Sequence, residues 1–89
     1  MAGPIAACSR IIGSGRYLAI VHTHRGRHYF EAGDLDRAIA DYNRALRLDP
    51  QWNAYFQRSL AYRKKGERKR ATADCKEANR LVGYGNLCE

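Results

Sequence analysis

The stretch Gly33 to Leu48 reads GDLDRAIADYNRALRL, and the stretch Gly66 to Leu81 reads GERKRATADCKEANRL. Sliding one onto the other by 33 residues pairs Gly33 with Gly66, Ala38 with Ala71, Asp41 with Asp74, Ala45 with Ala78 and Leu48 with Leu81. The same shift pairs Arg25 with Arg58 and Tyr29 with Tyr62. So many coincidences at one offset mark an internal repeat, and a period in this range belongs to stacked supersecondary units. A partial third copy precedes them. Pro4 to Ile12 reads PIAACSRII and aligns with Ala38 to Leu46 at an offset of 34, bringing Cys8, Tyr42 and Cys75 into one register.

Each unit reads as two helices. Tyr17 to Ala32 lacks proline, and Gly33 stands where a left-handed C-terminal residue belongs. Asp34 follows as an N-cap, and Leu35, Ile39, Tyr42 and Leu46 form one apolar stripe at spacings of 4, 3 and 4. Asp49-Pro50 ends that helix, because proline disfavours helical geometry in the residue before it. Asn53 to Lys65 and Arg68 to Val82 repeat the plan around Gly66, with Glu67 a poorer cap than Asp34. A short leading helix over Pro4 to Ile12 makes five. The expected division is a half unit over 1–16, full units over 17–50 and 51–82, and a tail over 83–89.

The chain's 89 residues allow one small domain. Its 45% hydrophobic and 28% charged residues are an ordinary globular mix. No apolar run approaches a membrane span, and the opening residues lack the pattern of a secretory leader. Cys8, Cys75 and Cys88 have no metal-ligand spacing and cannot all pair with one another, which speaks against a disulfide-stapled secreted domain. We therefore expect a cytoplasmic chain, with Cys8 and Cys75 acting as small buried hydrophobes and Cys88 exposed in the tail. There is no glycine-rich phosphate loop and no nucleophile–base constellation, so neither an enzyme nor a cofactor is expected.

These residues resemble the tetratricopeptide repeat family, whose pattern wants an aromatic and a glycine early in the first helix, then Ala-Tyr, Gly-Asp, Ala, an aromatic, Ala and a terminal Pro. The first full unit supplies Gly26, Tyr29, Gly33-Asp34, Ala38, Tyr42, Ala45 and Pro50. The second supplies Tyr55, Ala61-Tyr62, Gly66, Ala71 and Ala78, with Ser59, Glu67 and Cys75 as departures and no terminal proline. The wording AIADYNRALRLDP is similar to bacterial examples. The resemblance implies an all-α, right-handed α-solenoid of antiparallel hairpins, about two and a half repeats, serving as a non-catalytic scaffold for protein–protein interaction.

It also implies that the first helix of each unit lines a concave groove. The groove positions are Ile20, Thr23, Arg27, Phe30 and Glu31, then Asn53, Phe56, Leu60, Arg63 and Lys64. Phe30, Phe56 and Leu60 would give apolar contact to a peptide, or else pack on the chain's own helices. Arg27, Arg63 and Lys64 would favour an acidic peptide or a terminal carboxylate. The carboxylate clamp of some relatives is not reproduced, since its positions hold Thr23, Arg27, Gln57 and Leu60.

Two further readings compete. Ala71, Cys75, Ala78 and Val82 lie on a last helix with no successor, a face for self-association into a homodimer. The net charge of +7 concentrates in Gln51 to Glu89, where nine Lys/Arg oppose four Asp/Glu. The basic run around Gly66 would suit nucleic acid, although no recognition motif accompanies it. His24 and His28, four apart, lack the extra ligands of a metal site, and His22 takes a packing position. Finally, the spacing of 16 in Arg25–Asp41 and Arg58–Asp74 predicts two equivalent ion pairs, expected to be exposed and worth about 0–1 kcal/mol each.

Overall fold

The computed structural model describes residues 15–83. They form four helices, α1 (Arg16–Glu31), α2 (Leu35–Leu48), α3 (Trp52–Lys65) and α4 (Arg68–Val82), and no strand. The expected leading helix, Pro4 to Ile12, and the tail beyond 83 lie outside the described residues.

Helices α1 and α2 pack as one hairpin and α3 and α4 as another, with α2 against α3 joining the two. The turns within the hairpins are built alike. Gly33 and Gly66 adopt φ of 86° and 92°, a region that a side chain would strain. Asp34 N–H donates to Tyr29 O and Glu67 N–H to Tyr62 O, both at 2.9 Å, closing the two helix ends in the same motif. The caps that follow differ, as their side chains dictate. Asp34 Oδ1 accepts from Arg37 N–H at 3.2 Å, whereas Glu67 makes no cap hydrogen bond through its side chain. Asp49 is extended, with φ −160°, and stops α2 before Pro50.

The core alternates small and large residues. Ala38, Ile39, Tyr42 and Ala61 form one buried cluster, with Tyr29, Phe30, Leu35 and Tyr62 packed against it. Ala19, Ala45 and Ala54 form a second, flanked by Leu46. Alanine at these places lets helix axes approach, and the tyrosines fill the space left between them. Tyr42 is fully buried, and its desolvation pushes its phenol pKa up to about 12.

Candidate functional site

Both predicted ion pairs form. Arg25 Nε and Nη2 donate to Asp41 at 2.9 and 2.8 Å, and Arg58 Nε and Nη2 donate to Asp74 at 2.7 Å each. They are not the exposed pairs expected from the sequence. Asp41 is 0% and Asp74 6% exposed, because each carboxylate projects from the inner side of its second helix beneath the first. Asp41 also accepts from Arg44 Nη1 at 2.9 Å, and His22 Nδ1 lies 3.5 Å away. Hydrogen bonding to Arg25 holds the Asp41 pKa below the usual carboxylate range despite burial, which opposes the shift. Arg58 donates in addition to Asn43 Oδ1 at 2.7 Å and so ties the second hairpin to the first.

Helices α1 and α3 together border a groove of about 230 Å³. Ile20, Thr23, Arg27, Asn53 and Gln57 line it, all positions singled out from the sequence. Arg16, His24, Asp49 and Gln51 line it too, and sequence reasoning missed them as groove residues. Asp49 and Gln51 come from the α2–α3 connection, outside the first-helix positions that the resemblance assigns to the groove. Gln51 Nε2 donates to Asp49 Oδ2 at 2.9 Å, and Thr23 Oγ1 donates to Ala19 O at 2.8 Å. Arg27 is 61% exposed, with Glu31 at 3.3 Å.

The other expected contact residues lie elsewhere. Phe30 is half-buried against the core, and Lys64 Nζ sits 5.4 Å from its ring centre. Phe56 and Leu60 are half-buried on α3 and do not line the groove. Arg63 is exposed on a separate hollow with Arg68, Ala71 and Thr72. The residues assigned to a self-association face are turned inward: Ala71, Cys75 and Ala78 are at most 2% exposed within the chain, and Val82 is half-buried. Cys75 is buried, as expected, but it is disulfide-bonded rather than a free thiol.

The basic run around Gly66 is partly neutralised. Lys65 pairs with Asp36 at 2.6 Å, and Arg70 pairs with Glu67 at 3.1 Å. No group of three or more potential metal ligands occurs among the described residues. None of the described helices is long and apolar enough to cross a membrane.

Repeated hairpins with buried small residues, a common ion pair and a groove between their first helices define a helical-repeat protein. Comparison with family models makes the class specific: residues 19–52 and 53–81 each match a tetratricopeptide repeat, and the chain belongs to that family. Repeats of this family generally mediate protein–protein interaction and are typically non-catalytic. No solved structure matches the chain.

Proposed function

We propose that this chain is a protein-interaction scaffold, a right-handed stack of about two and a half repeats, that holds an extended acidic peptide in the groove between α1 and α3. One observation carries the reading. The groove presents the Arg27 guanidinium opposite the Asn53 and Gln57 amides, which have no hydrogen-bonded partner among the described residues. Side-chain amides suit an extended peptide backbone, which offers both donors and acceptors, while a guanidinium suits a carboxylate. Lys64, Phe56 and Leu60, farther along α3, supply contact to a peptide that runs on beyond the groove.

A library of short peptides rich in Asp and Glu, with free and with amidated C-termini, tests this when screened against the whole chain and against an Arg27→Glu/Asn53→Ala variant. Binding that depends on these two side chains supports the groove. Equal recovery by both proteins, or no binding by either, removes it.

A further inference from the structure

On the flank of the first hairpin lies another hollow, of about 240 Å³, lined by Arg25, Tyr29, Arg37, Ala40, Asp41 and Arg44. Three arginines and one carboxylate line it. Asp41 is engaged by Arg25 and Arg44 together, with His22 alongside. Each guanidinium carries five N–H donors in a fixed fork, so Asp41 leaves most of them unused. The Arg25 and Arg44 side chains remain 53% and 48% exposed. Arg37 stacks 5.8 Å from the Tyr29 ring centre and has Asp34 at 3.5 Å on its other side.

The second hairpin is an internal control. The 33-residue offset carries Arg25, Tyr29, Arg37 and Asp41 onto Arg58, Tyr62, Arg70 and Asp74, but it carries Arg44 onto Glu77. Glu77 is paired with Arg80. Arg58 is only 21% exposed, and its spare nitrogen is taken by Asn43. The same frame is therefore stabilised in the second unit without surplus positive charge. The third guanidinium and the openness of Arg25 in the first unit go beyond what that frame needs.

We propose that this hollow binds a phosphate monoester dianion carried by a protein partner as a phosphorylated side chain. A phosphoryl group offers several charged acceptors, and guanidinium forks match it bidentately. The hollow is compact, and Asp34 and Asp36 at the start of α2 interrupt any basic track leading from it, which suits one phosphoryl group better than a nucleic-acid backbone. The protein source rests on the interaction reading above.

The test is amide chemical-shift titration of the whole chain with four probes: an acetylated phosphoserine tripeptide, its unphosphorylated form, inorganic phosphate and a random single-stranded oligonucleotide. The phosphopeptide and inorganic phosphate are expected to shift Tyr29, Ala40 and Arg44, and the unphosphorylated peptide to leave them unmoved. Arg44→Glu should weaken phosphopeptide binding by about tenfold or more. Arg37→Ala, which leaves the Asp41 network intact, should weaken it in the same direction, with circular dichroism confirming that both variants are folded. Shifts absent from the hollow, or unchanged affinity in Arg37→Ala, overturn the proposal. So does inorganic phosphate or the oligonucleotide binding while the phosphopeptide stays inert. Amides of Thr23 and Asn53 report the groove separately, so failure there is distinguishable from failure here.

Discussion

Gly26 faces the buried ring of Tyr42 so closely that a Cβ at residue 26 would lie 2.6 Å from Cε1 and 2.8 Å from Cδ1. The aromatic of the second helix thus fits only because the first helix carries no side chain at that point. The second unit solves the same contact with the opposite sizes, Ser59 standing in the glycine register and Cys75 in the aromatic one.

Gly26→Ala is therefore expected to destabilise the fold. Overpacking costs about 1–3 kcal/mol, while the better helix propensity of alanine returns at most about 1 kcal/mol. The Tyr42 ring is fully enclosed and has nowhere to turn, so a net loss of about 1–2 kcal/mol should appear in urea unfolding. Combining Gly26→Ala with Tyr42→Cys should show favourable coupling in a double-mutant cycle. Strict additivity would contradict the close contact.

Asp41 gives the fold an acid-sensitive element. Its folded pKa lies below the value of the unfolded chain, so the stabilisation is complete above the unfolded value of about 4 and is lost as pH falls through the lower folded value. Asp41→Asn should cost about 1–3 kcal/mol at neutral pH, the worth of charge-assisted hydrogen bonds to a buried group. The gap between variant and parent should close in strong acid, where Asp41 is protonated. Unfolding curves followed across that range check this, and a gap independent of pH speaks against it.

The two arginines assigned to peptide contact from the sequence should behave differently. Arg27 lines the α1/α3 groove and Arg63 a separate hollow. For a short acidic peptide bound in the groove, Arg27→Glu should weaken affinity by about tenfold or more. Arg63→Glu should matter much less. Fluorescence anisotropy with the same peptide on both variants decides it, and equal losses would indicate nonspecific attraction to a basic chain.

The caps offer a stability test in both directions. Asp34→Ala removes a side-chain cap and should cost about 1 kcal/mol. Glu67→Asp supplies the shorter carboxylate that caps α2 but is missing from α4, and should gain about 0.5 kcal/mol. Thermal unfolding of the two variants should move in opposite directions.

The pattern of glycine, alanine and tyrosine was enough to read the hairpins, because each of those residues is demanded locally: Gly33 by a left-handed turn, Ala38 and Ala45 by close helix approach, Asp34 by open N–H groups. The Arg25–Asp41 and Arg58–Asp74 pairs were legible for the same reason, as a spacing repeated in both units. Burial was not. The exposure of Asp41 depends on how deeply one helix seats against the next, and spacing carries no depth. The groove was half legible. Ile20, Thr23, Arg27 and Asn53 stand where the repeat resemblance implies groove positions, whereas Asp49 and Gln51 reach it from a connection. Phe30 occupies a groove register but is drawn into the core beside Tyr42, since a large ring gains more from burial than from standing in water. The bonded state of Cys75 depends on a partner that sequence spacing does not identify.

The most direct test of the account maps the best peptide from the acidic library onto the protein by amide chemical shifts. The largest changes are expected at Thr23, Arg27, Asn53 and Gln57, which line the groove from α1 and α3. Changes confined to the outward residues of α2 and α4, such as Arg47 and Lys76, would contradict it.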